Sequence, residues 1–157
     1  MDKGKHSLLV AGRDDLDILM DHRRKMWITL GSHSLEEIED CVPVYREWLD
    51  LSMQTGKVFC FKAVGDNRKI IGTVCVFFRD DIPGPGHPSA SIPFIFSLYV
   101  EDDFRNRGVG TDLTRKCVDL CMERGYTRIT LHASDYGRPI YEKMGFRPTT
   151  EMRLSLR

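Results

Sequence analysis

The chain has 157 residues, enough for one domain with a full core, and no repeat, low-complexity stretch or linker divides it. Its 23 Lys and Arg balance 23 Asp and Glu, so the formal net charge is zero, which argues against a general nucleic-acid or polyanion binder. No apolar run approaches the roughly 20 residues of a membrane span, and the start, Met1-Asp2-Lys3-Gly4-Lys5-His6, lacks the apolar stretch of a secretion signal; a soluble, cytoplasmic protein is expected.

Leu8-Leu9-Val10 reads as a short first strand. Asp14, with Asp17 in capping-box position, opens a helix carrying Leu16, Leu19, Met20, Arg23, Met26 and Trp27 at helical spacing, and Gly31 ends it. Ser34 and Glu37 form a Ser-x-x-Glu box for the next helix. Pro43 is expected to break or kink that helix, while Val44, Tyr45, Trp48, Leu49 and Met53 continue an apolar stripe up to Gly56. Val58 to Val64 and Ile70 to Phe78 read as paired strands around the turn Gly65-Asp66-Asn67. The turn-rich segment 81–88, with three prolines, can be neither helix nor central strand.

The run Phe94 to Val100 reads as a buried strand. After it comes Arg105-Asn106-Arg107-Gly108-Val109-Gly110, then a helix with Val109, Leu113, Cys117, Leu120 and Cys121 on one face, ended by Gly125. Strand, basic glycine turn, then helix presents unpaired backbone N–H groups and the positive end of a helix dipole to an anion. Gly108 and Gly110 let an anion approach the main chain, and Arg105 and Arg107 add charge and paired donors. The turn suits a pyrophosphate. Taken alone, it also reads as an ordinary loop with solvated arginines. Gly110 is followed by Thr111-Asp112 rather than Lys-Ser/Thr, so this is not a nucleotide-hydrolase phosphate loop, and the third glycine of a dinucleotide fingerprint is missing.

Ile129 to His132 forms another strand, a short helix runs from Tyr136 or Gly137 through Met144, and Phe146 to Leu156 supplies one or two closing strands. Five cysteines, an odd number without paired metal-ligand spacing, fit a reducing compartment; Cys60, Cys75, Cys117 and Cys121 read as core thiols, and no metal site is expected.

A second motif, Tyr141-Glu142-Lys143-Met144-Gly145-Phe146, follows the glycine turn by about thirty residues. Here the sequence resembles the GNAT superfamily of acyl-CoA-dependent N-acetyltransferases. The family's pyrophosphate signature, Arg/Gln-x-x-Gly-x-Gly/Ala, is matched by Arg105, Gly108 and Gly110; its later Tyr-x-x-x-Gly-Phe signature is matched by Tyr141, Gly145 and Phe146. The close resemblance covers roughly residues 90 to 147; the earlier residues agree in element order only.

The resemblance implies a single GNAT domain over residues 1–157: a mixed, mostly antiparallel central sheet with helices on both faces and a splayed cofactor cleft. The cleft would open between strands 93–100 and 128–132 and admit acetyl-CoA as cosubstrate, its pantetheine arm pairing with the first of these strands at Leu98 and Val100. Arg105, Asn106, Arg107, Gly108, Val109, Gly110 and Thr111 would hold the pyrophosphate, with Ser134 standing where relatives often carry a cofactor-binding Asn. Tyr141 would protonate the leaving thiolate, and a backbone amide near Leu98 or Tyr99, where the family strand often bulges, would hold the oxyanion.

An alkyl amine with a pKa near 10 is only about one part in a thousand neutral at pH 7, so the site must desolvate it or supply a base. Many relatives place a carboxylate on the strand where this chain has Phe96 and Ser97, yet no acid occurs from Ser89 through Val100. Glu101 and Asp102 read as caps of the following turn, His132, Asp80 and Asp81 are weaker bases, and a water chain is the leading expectation. The acceptor, a small-molecule or peptide amine, would lie against Met26, Trp27, Tyr45 and loop 81–88. The main alternative is a non-catalytic acyl-CoA-binding regulatory module. A homodimer is left open, since no exposed apolar stripe demands one.

Overall fold

The structure, a computed structural model, describes residues 5–156; most of the polar start, residues 1–4, and residue 157 lie outside the described residues. The elements are β1 (His6–Ala11), α1 (Leu16–Leu30), α2 (Leu35–Gln54), β2 (Val58–Gly65), β3 (Ile70–Asp80), β4 (Ser91–Val100), α3 (Val109–Glu123), β5 (Thr130–Leu131) and α4 (Arg138–Lys143). They build one sheet in the order β1-β2-β3-β4-β5. The first four strands are antiparallel neighbours, and β5 joins β4 in parallel through Phe94↔Thr130 and Ile95↔Leu131.

Alternation along the strands sends side chains to two cores. Phe61, Ala63, Val74, Val76 and Ile95 meet Val109, Leu113, Cys117 and Cys121 of α3 on one face. On the other, Val58, Cys60 and Cys75 meet Leu16, Leu19 and Met20 of α1 and Tyr45 and Leu49 of α2. Helices therefore cover both faces, and full burial of each large aliphatic side chain contributes about 1.5–3 kcal/mol. The four cysteines expected in the core are all buried and free. Among the described residues, no helix is long and apolar enough to cross a membrane.

Several local expectations need correction. Asp14 does not cap α1: a single tight turn, Arg13–Asp15, precedes it. The Asp15 carboxylate instead accepts from the Gly12 amide at 2.9 Å and pairs with Lys62 at 2.8 Å. Helix α2 runs unbroken through Pro43, because Ile38, Tyr45, Leu49 and Ser52 bury one face on both sides of the proline and hold the turns together. Val44 is not part of that stripe; it is 66% exposed, and Ser52 takes an inward position instead.

Strand β5 keeps only two of the four expected residues, and the closing strands expected over 146–156 do not form. β5 offers too short an edge for them to pair with. Met152 and Leu154 are accordingly 94% and 82% exposed. The Ser34–Glu37 box, by contrast, closes in both directions: Glu37 N–H donates to Ser34 Oγ at 3.2 Å, and Ser34 N–H to Glu37 Oε2 at 2.8 Å.

Candidate active site

The centre of the site is an irregularity in β4. The pairs Thr73↔Tyr99 and Cys75↔Phe96 leave Val74 facing both Ser97 and Leu98, so β4 carries one extra residue there. Ser97 takes φ +56°, a left-handed conformation that a non-glycine residue adopts at some cost. Such a bulge takes backbone out of the regular ladder, here at Ser97 and Leu98, neither of which has a partner in the register. On its other side β4 is paired only as far as Ile95↔Leu131, so the two parallel strands part company next to the bulge.

Beyond Val100 the chain enters the basic turn. Asn106 (φ +61°) and Gly108 (φ +85°) are left-handed, which folds the turn onto the start of α3. Gly108 is the N-cap and supplies no capping side chain, so the first amides of α3, from Val109 to Thr111, are left to an outside acceptor. A methyl group at Gly108 would meet nothing within 4 Å, whereas one at Gly110 would touch Ile140 at 3.4 Å and Leu98 and Val100 at 3.8 Å. Open space thus lies beside Gly108, and Gly110 sits where α3 meets β4 and α4.

The two arginines differ. Arg105 turns back: its Nε donates to the Val100 carbonyl at 2.9 Å, an Nη pairs with Asp102 at 2.9 Å, and the guanidinium lies over the Tyr99 and Tyr136 rings at 5.3 and 5.5 Å. It fixes the turn as much as it charges it. Arg107 is exposed and lies over Phe104 at 5.6 Å. Val109 buries its side chain in the core, leaving only its amide to a ligand.

Tyr141 sits on α4, 8% exposed, and burial pushes its phenol up to about 12, so the hydroxyl stays protonated at neutral pH. Its position follows from the local sequence. Gly145 (φ +97°) ends α4 in a turn in which Phe146 N–H donates to the Tyr141 carbonyl and Gly145 N–H to that of Glu142, both at 3.0 Å. The Phe146 ring then meets the Tyr141 ring edge-on at 5.8 Å. On the other side, a methyl group at Gly137 would stand 3.0 Å from Tyr141 Cε2, so any larger residue there would push on the ring. Ser134 Oγ accepts from the Gly137 amide at 3.1 Å and tethers the start of α4.

The acceptor-side expectations divide. Trp27 and Tyr45 come together beside the bulge, their rings edge-on at 5.6 Å, with Arg23 between them and Phe96. Loop 81–88 is fastened elsewhere: buried His87 donates from Nε2 to the Ser91 carbonyl at 2.9 Å, at the start of β4. Met26 is only half-buried on α1. His132 lies against Phe94 at 4.9 Å and pairs with Glu151 at 3.4 Å, with half its surface exposed.

Glu101 caps the turn Asp102–Phe104 through its carbonyl, which accepts from Phe104 N–H at 2.9 Å, but its carboxylate points elsewhere. It receives His22 Nε2 at 3.2 Å and Lys25 Nζ at 3.0 Å, tying α1 to the end of β4. Because a carboxylate can only accept, the neutral His22 ring carries its proton on Nε2, and Nδ1 accepts from Thr73 Oγ at 2.9 Å. Burial lowers the His22 pKa below its ordinary value, and Lys25 and His22 together hold Glu101 below the usual carboxylate range. Asp21, His22 and Glu101 bring one ligand atom each within 4.8 Å of one another, but Lys25 already bridges the two carboxylates. Sequence reasoning missed this cluster, although His22 sits beside Arg23 among the inward positions of α1.

Comparison with known proteins places this geometry among relatives. The family model described as "Acetyltransferase (GNAT) family" matches residues 17–146. A GCN5-related N-acetyltransferase from Ralstonia eutropha JMP134 superposes with a TM-score of 0.91 at 26% identity, over 97% of this chain and 99% of that one. A protein of Clostridium acetobutylicum described as a predicted acetyltransferase with acetyl-CoA superposes with a TM-score of 0.88 at 25% identity, over 97% of both chains. The glucosamine 6-phosphate N-acetyltransferase of Trypanosoma brucei brucei is 28% identical over 101 residues, which are 64% of this chain and 65% of that protein.

Proposed function

This chain belongs to the acetyltransferase (GNAT) family, and we propose that it acts as a single domain that moves an acetyl group from acetyl-CoA to a primary amine by direct attack in a ternary complex. The observation that carries the reading is that the uncapped end of α3, the β4 bulge at Ser97–Leu98 and the helix of the buried Tyr141 adjoin at Gly110, where an added methyl group would meet both Leu98 and Ile140.

In this reading the pyrophosphate of acetyl-CoA takes the free amides of Val109, Gly110 and Thr111, with Arg107 and the turn residues Asn106 and Gly108 around it. Arg105 braces the turn and adds charge. The pantetheine arm lies along the open side of β4 at Leu98 and Val100 and passes Ser134. The amine nitrogen attacks the thioester carbon, and the Leu98 amide donates to the oxygen as negative charge builds there. As the C–S bond breaks, the sulfur takes the Tyr141 proton, and the phenolate recovers a proton from solvent. No carboxylate on β4 stands ready as a base, so water removes the ammonium proton before attack and the second amine proton after it.

The test is release of free thiol from acetyl-CoA with a panel of primary amines that includes glucosamine 6-phosphate, with mass analysis of the products. Acetylated amine and stoichiometric thiol are expected. Tight acetyl-CoA binding with no product from any amine would favour the non-catalytic module, whose support is the lack of an acid over residues 89–100.

A further inference from the structure

Arg23 is a cation without an anion. Its neighbours on α1 are paired, Arg24 with Glu39 and Lys25 with Asp21 and Glu101, but among the described residues no carboxylate pairs with Arg23. Its Nη1 donates to Ser97 Oγ at 3.2 Å, and its Nε is buried with no hydrogen-bond partner. The rings of Trp27, Tyr45 and Phe96 stand 4.8, 5.1 and 5.8 Å from the guanidinium carbon. Tyr45 is itself held by its hydroxyl against Ser97 Oγ at 3.4 Å.

A guanidinium cannot shed its charge as a buried lysine or histidine does. Removing a guanidinium from water without a counter-ion is costly, and cation–π contact with the surrounding rings returns only part of that cost. An arginine held this way, half-buried rather than sealed, is preorganised to receive an oxyanion in its planar fork. Its position selects the occupant. Ser97, which it touches, is the residue before Leu98, so an anion at Arg23 belongs to the molecule whose amine lies at the bulge.

Resting on the acetyltransferase reading above, we propose that the acceptor is a small amine carrying a carboxylate or phosphate a few bonds from its nitrogen. Arg23 is the residue that selects it, with Trp27, Tyr45 and Phe96 holding the fork in place.

The experiment compares matched acceptors on the intact chain by thiol release: butylamine with γ-aminobutyrate, ethanolamine with phosphoethanolamine, and glucosamine with glucosamine 6-phosphate. An anionic partner favoured by about tenfold or more in kcat/KM is expected, the size of one charge-assisted hydrogen bond. The arm in which it appears identifies carboxylate or phosphate. Arg23→Gln should collapse the preference to about one, mainly through KM, while Arg23→Lys retains part of it. If Arg23→Gln no longer binds acetyl-CoA, the wild-type ratio alone decides. Equal use of both partners, preference for the neutral ones, or no acetylation in any arm while acetyl-CoA still binds would overturn the proposal. Failure to bind acetyl-CoA would instead remove the acetyltransferase reading beneath it.

Discussion

Tyr141 and His22 are both buried polar groups, and each carries a prediction because burial shifts its protonation in a defined direction. With its phenol pushed up to about 12, Tyr141 remains a proton donor throughout the working pH range. Tyr141→Phe should therefore lower kcat by about 10²–10⁴-fold, the usual contribution of a general acid, while acetyl-CoA affinity measured by calorimetry changes little. The alkaline limb of the wild-type pH–rate profile should show no loss assignable to this group below about pH 11, one unit under its shifted value. For His22 the folded pKa lies below the unfolded 6.5, so the unfolded chain binds more protons in that window. The stabilising contribution of the neutral ring is complete above pH 6.5 and is lost as pH falls toward the folded value; Glu101, also lowered, adds a further loss below 4.5. His22→Gln should reduce stability at pH 7 by about 1–3 kcal/mol, the cost of a disrupted buried hydrogen-bond pair, and give a shallower decline of Tm between pH 6.5 and 5. A wild-type Tm that is flat over that range would contradict the buried neutral ring. The Tyr141 motif was legible in the sequence because Gly145 answers to a local backbone demand. The His22–Glu101 cluster was not, because α1 and the end of β4 meet only in three dimensions. Arg23 stood at inward helical spacing among Leu19, Met20 and Met26, and a charge in such a row was the available signal.

Helix ends set the next scale. Gly108 and Ser34 are both N-caps, but of different kinds: Ser34 closes its helix with a side chain, whereas Gly108 leaves α3 open. Gly108→Ala should cost about 1–2 kcal/mol of stability through the left-handed backbone, and should weaken acetyl-CoA binding about tenfold because a strained turn no longer holds the free amides in place. Ser34→Ala should cost about 1 kcal/mol and leave that affinity unchanged. Denaturant unfolding and calorimetry on the two variants separate stability from binding; equal effects on affinity would contradict the anion-turn reading. The capping box, the glycine stops and the two apolar helix stripes were all readable because each is a local pattern with a local cause. The break at Pro43 and the strands over 146–156 do not form, for the opposite reason. A buried face on both sides of Pro43 outweighs the missing hydrogen bond, and an alternating tail forms no strand without an edge long enough to receive it.

For the molecule as a whole, the 23 basic and 23 acidic side chains cancel, and the two helix-covered sheet faces supply apolar cores, so the proposed site rests on local charge at the α3 turn and at Arg23. The two motifs identified the family, and the resemblance they carry implied the mixed sheet and the separation of β4 from β5, though not the absence of closing strands over 146–156. The acceptor was not legible, because the elements proposed to bind it, α1, α2 and the β4 bulge, carry no fixed spacing in the sequence. The central claim is that the turn, the bulge and Tyr141 together form an acetyl-CoA site. Calorimetric titration with acetyl-CoA, with ATP as control, tests it most directly. One site of micromolar or tighter affinity for acetyl-CoA, with no comparable binding of ATP, is the predicted result; no binding of acetyl-CoA would contradict the account.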